Sequence, residues 1–247
     1  MDEVFEHRDM SAAVFNDVNL HKVTFRNVNL SGATIRDANL SNVSIDEANI
    51  AGLTIFGFDV EALIEDERDR RDPERRRLRA RDLGDPDSVR EMMDNLESLR
   101  AQFRRRLEAA APPALVARPA PAKWSAIEHV RHLLFAEDLY INRWILRNDR
   151  PWNQLGLLPT FLAHDPAYAD VGRQPSDDLE TILAAWDDVH AVTRAFLADL
   201  TPEKLRGDTS DVDFGQGTVG QVLQGMARHD LHHIRRAKEA LQKQMGT

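Results

Sequence analysis

Large apolar residues recur every five positions at the start of the chain: Phe5, Met10, Phe15, Leu20, Phe25, Leu30, Ile35, Leu40, Ile45, Ile50 and Ile55. Two places before most of them stands a small or β-branched residue, as at Val18, Val23, Val28, Ala33, Ala38, Val43 and Ala48. A period of five fits neither an α-helix nor a flat strand. It fits a chain that turns a corner every five residues and points one large side chain inward each time.

The units RDANL and DEANI, with the looser FNDVNL and FRNVNL, resemble the pentapeptide-repeat family. The resemblance covers roughly residues 3 to 57 and implies a short right-handed quadrilateral β-helix with four units per coil. Eleven units make fewer than three coils. Each coil buries its interior only against its neighbours, so this stack needs capping. The implied role is a scaffold or docking surface, and exposed coil edges leave a homodimer open. Longer members of that family mimic DNA. This stack is too short for that, and residues 1–60 carry nine acidic against four basic side chains.

From residue 61 the pattern changes. EALIEDERDRRDPERRRLRARD mixes charges of both signs and reads as a solvated helix with (i, i+4) pairs, broken near Pro73. Ser88-Val-Arg-Glu91 reads as a capping box opening a helix with Val89, Met92, Met93, Leu96, Leu99, Phe103 and Leu107 on one stripe. After the proline-rich APPALVARPAPAK loop, a second box at Ser125-Ala-Ile-Glu128 starts a helix to about Arg147. Residues 148–175 have no strong period and form a long loop, often a sign of function. Ser176 is expected to cap a third helix, with Leu179, Ile182, Leu183, Trp186, Val189, Thr193, Phe196 and Leu200 inward. Thr218-Val-Gly-Gln221 caps a fourth, to about Gln244. The expected fold class is therefore mixed: a β-helix over 1–59, a charged helical connector over 60–86, and an all-α four-helix bundle over 87–247.

Composition narrows the chemistry. With no cysteine, disulfides, zinc-thiolate clusters and a cysteine nucleophile are excluded, and a metal must be held by His, Asp, Glu or backbone. A net charge of −9 argues against general nucleic-acid binding. No run of 18 apolar residues points to a membrane span, and the acidic start is unlike a signal peptide, so a cytoplasmic protein with no membrane partner is the expectation.

Three of nine histidines crowd into RHDLHHIRRA. The inward stripe of the fourth helix runs Val222, Met226, His229, His233, Ala237, Leu241. His229 and His233 thus lie one turn apart on the core-facing line, and His232 sits about 100° away. Two buried imidazoles leave several polar nitrogens to satisfy, and one divalent metal can satisfy both. Further donors could come from His129 or His132 on the second helix, or His190 on the third. His7 and His21 belong to the repeats, and His164 is a loop residue.

KWSAIEHVRHLLFAED, followed by HDLHHI at 229–234, resembles the DinB-like four-helix-bundle superfamily. The start of the chain, the connector and the PWNQLGLLP loop are similar to an actinobacterial subgroup with the same composite architecture. There the position of His229 is often acidic. The resemblance implies a metal centre of His132, His229 and His233, with His132 preferred to His129 by its H-L context. Such a nitrogen set suits zinc or nickel first, then iron or manganese. It implies a metal-dependent transferase or hydrolase activating a small thiol, of the mycothiol type, or water against an electrophile. The alternative is a non-catalytic module stapled by the metal, with His190 or a carboxylate closing the shell and the repeats docking a partner. Asp230 and Glu137 are candidates to orient an imidazole. The loop Pro151–Pro159, with Trp152 and Leu157, reads as a pocket wall, a lid or an apolar plug.

Overall fold

The structure is a computed structural model. It describes all residues except 1–3, 7, 27, 47, 49, 51, 160, 161, 163, 164, 210–216, 246 and 247. The chain divides into two compact units, Met1–Asn49 and Ile50–Thr247.

The first unit turns where the sequence period says it should. Backbone bonds Ala13 N–Met10 O, Val23 N–Leu20 O, Ala33 N–Leu30 O and Val43 N–Leu40 O close a turn every ten residues, at 3.0–3.2 Å. Asp9, Asn19, Asn29 and Asn39 each accept a backbone N–H two residues on, the Asx pattern. Ala12, Lys22, Gly32 and Asn42 take positive φ of 61–76°, as the third residue of a type II turn must. Asp17 and Asp37, also at positive φ, mark corners between them. The inward burial expected of the large residues is absent: Phe15 is 60% and Ile35 65% exposed. No strand ladder joins successive turns among the described residues, so the β-helix expected over 1–59 is not shown. The corners need only local bonds, whereas an interior needs stacked neighbours, which so short a stretch scarcely provides. The one sheet is a hairpin in the second unit, β1 (Thr54–Ile55) with β2 (Phe58–Asp59).

The second unit is helical. Asp59 caps α1 (Val60–Arg71), and Asp72 with Pro73 ends it and caps α2 (Pro73–Arg77). Within α1, Glu67 pairs with Arg70 and Arg71 as expected of a charge-laced helix. The connector is also anchored: Glu65 pairs with Arg228, and Asp72 and Glu74 with Arg235. Helix α3 (Pro86–Glu108) begins two residues before Ser88, because Asp85 caps it and Pro86 fits its first turn. The proline-rich stretch holds a single-turn helix, α4 (Pro112–Val116). Ser125 and Glu128 form the expected capping box of α5 (Ala126–Glu137), which continues as a π-helical segment Asp138–Ile145. Asp178, not Ser176, caps α6 (Leu179–Ala198); Ser176 instead receives the Asp178 N–H. A short α7 (Pro202–Leu205) precedes α8 (Val219–Met245), capped by the reciprocal Thr218–Gln221 bonds.

Helices α3 and α5 each contact both α6 and α8, a closed ring of four around one core. The predicted stripes fill it: Val89, Met92, Met93, Leu96, Phe103 and Leu107 are buried, as are Ile182, Leu183, Trp186 and Val189. A second apolar cluster, Phe135, Leu139, Trp144, Leu162, Tyr168, Val171 and Val222, fastens the 151–171 loop onto the bundle. No described helix is long and apolar enough to cross a membrane.

Candidate metal centre

The capping box at Ser125 fixes where α5 begins, and that sets the face on which His129 and His132 fall. Both are buried, at 7% and 4% exposure. Across from them α8 presents His229 and His233, half-buried, while His232 is exposed. His132 Nε2 and His229 Nε2 stand 3.2 Å apart, and ring centroids of His132 and His229 each lie 4.4 Å from His233. One donor atom from each of His132, His229 and His233 lies within 4.8 Å of the others, a group that could hold a metal ion. The edge of a tetrahedron of nitrogens bound at about 2.05 Å is roughly 3.3 Å, so the 3.2 Å spacing suits a shared small cation.

The tautomer of His132 is dictated by its surroundings. His132 Nδ1 lies 2.9 Å from the Leu157 carbonyl, which can only accept, so the proton is on Nδ1 and Nε2 keeps its lone pair. The loop is held there by Arg131, whose Nε donates to Leu155 O and whose carbonyl accepts from Leu157 N. Gly156 permits the approach; a Cβ there would meet Val171 Cγ1 at 3.1 Å and Phe135 Cβ at 3.2 Å. The Pro151–Pro159 segment is thus a wall of the centre, and its contribution is a backbone carbonyl.

His229 Nδ1 and Asp230 Oδ1 are both buried without a hydrogen-bond partner, 3.8 Å apart. A cation held at Nε2 would leave the His229 proton on Nδ1, on the side of the Asp230 oxygen that lacks a donor. The donor set therefore fits a divalent metal, and these two atoms are its clearest mark. Asp230 is no surface residue: it is fully buried and salt-bridged to Arg100.

Two other candidates lie elsewhere. His190 sits between Glu137 and Glu97, at 2.7 and 2.9 Å, away from the three-histidine group. Glu137 holds His190, Thr193 and Trp186 rather than a ligand imidazole. His21 lies in the first unit, and His7 and His164 fall outside the described residues. Sequence reasoning gave no role to Tyr140, whose ring meets His229 edge-on at 5.7 Å. Nor did it give one to Trp124, which stands in KWSAIEHVRHLLFAED and touches His129, His132 and His233.

Burial disfavours protonation of His129, His132 and His233. Burial, then the His232 charge, lowers His129 to about 4. Burial, then His229, lowers His132 to about 4, and the same two causes push His233 down further. Each of these folded-state values lies below the unfolded one near 6.5, so folding resists a protonation the unfolded chain accepts. Their stabilisation is complete above pH 6.5 and is lost as the pH falls towards 4. Metal-free protein should therefore unfold at lower urea at pH 4.5 than at pH 7, with His132 alone worth on the order of 3 kcal/mol. Equal midpoints would contradict this. His190 does not offset the loss. Burial pulls it down, but bonds to Glu137 and Glu97 raise it to about 9, so its contribution is complete below 6.5 and fades only as pH rises through 9.

A family model described as the DinB superfamily matches residues 62–237. Another, pentapeptide repeats, matches residues 7–53 in eight copies. No curated protein and no solved structure matches the chain.

Proposed function

We propose that this chain, which belongs to the DinB superfamily and carries pentapeptide repeats ahead of that domain, is a metal-dependent transferase or hydrolase acting through His132, His229 and His233. The observation that carries the reading is the convergence of three imidazole donors from two helices within 4.8 Å of one another. When bound, a divalent ion, zinc or nickel by the all-nitrogen donor set, supplies a Lewis acid that lowers the pKa of a coordinated water or small thiol.

The chain's own residues do the rest. His132 is oriented by Leu157 O, and the Phe135–Trp152–Tyr168 cluster keeps bulk water from that side. Arg143 lies over Trp152, 4.3 Å from the ring, and holds the loop shut over the apolar cluster. Three ligands leave coordination positions for substrate. His190 and Glu137, which could have closed the shell of a merely structural site, are committed to each other. A chain without cysteine must take any thiol from outside, which favours a low-molecular-weight thiol of the mycothiol type as co-substrate.

Purified protein should bind one zinc or nickel per chain by elemental analysis after add-back. In a cobalt-substituted sample, a mycothiol-type thiol should shift the visible bands. No retained metal would sink the metal-centre reading. Metal without any thiol-induced shift would sink the thiol reading and leave water.

A further inference from the structure

His129 stands one turn before His132 on α5, and its Nδ1 lies 3.0 Å from Nδ1 of His233. Two imidazole nitrogens at that distance share one proton, so one ring donates and the other accepts. The ring that donates through Nδ1 is the ring left with a lone pair on Nε2. We propose that His129 is a positioning residue of the centre: its Nδ1 accepts the Nδ1–H of His233 and holds His233 in the tautomer whose Nε2 is open to a divalent cation. The purpose of this bond rests on the metal-centre reading above; its geometry does not.

The direction assigned to the bond parallels that of the neighbouring ligand. His132, the neighbouring donor, already has its Nδ1 proton committed to a carbonyl and its Nε2 turned to His229. The same division of labour in His233, Nδ1 outward to an acceptor and Nε2 for the cluster, gives the two imidazoles one tautomer and one coordinating atom. The reverse bond would put the His233 proton on Nε2 and remove a donor from the group. His129 is also built to stay where it is. It is 7% exposed, and Trp124 covers the pair, edge-on to His129 at 5.4 Å and stacked on His233 at 5.9 Å with the planes 27° apart. Among the ligands, then, His132 is held by a carbonyl and His233 by an imidazole, and partners of this kind fix ring orientation and basicity.

The test uses full-length, 15N-labelled, metal-free protein, in which long-range 1H–15N spectra distinguish Nδ1–H from Nε2–H imidazoles. His233 should appear as the Nδ1–H form in the wild type. It should remain so in His129→Asn, whose Oδ1 stands where the accepting nitrogen stood, and relax towards Nε2–H in His129→Ala. Zinc affinity, measured by competition with a chelator, should fall about 10- to 100-fold in His129→Ala and recover in His129→Asn. Thermal melts of the metal-free variants check folding independently. A His233 Nε2–H tautomer in a wild type that binds zinc would overturn this inference alone. So would unchanged zinc affinity in His129→Ala, or a second zinc per chain lost with His129, which would make it a ligand. A wild type that binds no zinc would overturn the metal-centre reading and this inference with it.

Discussion

Replacing Arg100 with leucine is expected to destabilise the helical unit by about 3–5 kcal/mol, because it strands carboxylates that water cannot reach. Arg100 is 7% exposed, and Asp230 and Glu137 are fully buried. Its Nε and Nη2 reach Asp230 Oδ2 at 2.8 and 2.5 Å, and Nη2 lies 3.1 Å from Glu137 Oε2. Burial alone would raise Glu137, but Arg100 and the bonds from His190 and Thr193 hold it near 2. With Arg100 gone, Glu137 keeps His190 and Thr193, whereas Asp230 keeps no cation at hydrogen-bond distance. The cost should therefore fall mainly on Asp230. Urea unfolding at pH 7 measures it, and Arg100→Leu combined with Asp230→Asn should recover much of the loss. A single-variant cost under about 1 kcal/mol would mean that the network is not ionised as described.

Helices and histidines were legible in the sequence because each leaves a periodic trace. The stripes of α3, α6 and α8 and the box at Ser125 rest on apolar spacing and on local hydrogen bonds, which do not depend on distant residues. His229 and His233 declared themselves by lying on such a stripe. Three things were not legible. Arg100 and Asp230 look like surface charges until another helix brings them together, although Arg100 does fall four residues after Leu96 on the buried line. The Leu157 carbonyl has no side-chain signature, since any residue offers one. The repeats are the opposite case: the period marks the corners, and those are present, but burial is a property of stacked coils, which the described residues do not show. Helix starts slipped by two or three residues at Asp85 and Asp178, where an aspartate and a nearby serine compete for the cap and the aspartate takes it.

Removing one ligand should matter more than removing its support. His132→Ala, His229→Ala and His233→Ala are each expected to weaken zinc binding by about 1,000-fold or more, roughly 4 kcal/mol, beyond the 10- to 100-fold range of an outer partner. His132 comes from α5 and the other two from α8, so an ion held by all three would tie two helices of the bundle. Losing His132 leaves both remaining donors on one helix, and losing either α8 ligand leaves one donor on each. At a zinc concentration 100 times the wild-type Kd, the wild type gains about 2.7 kcal/mol against unfolding. At the same concentration each variant should gain nearly nothing. His232→Ala is the control: it is exposed, it touches His233 only edge-on at 5.0 Å, and it should keep the full zinc-dependent gain. A chelator competition and a urea titration with and without zinc read the two effects separately. Wild-type affinity in His233→Ala would move the centre elsewhere, and a loss in His232→Ala as large as that in His229→Ala would place the ion on the outer face of α8 instead of between the helices.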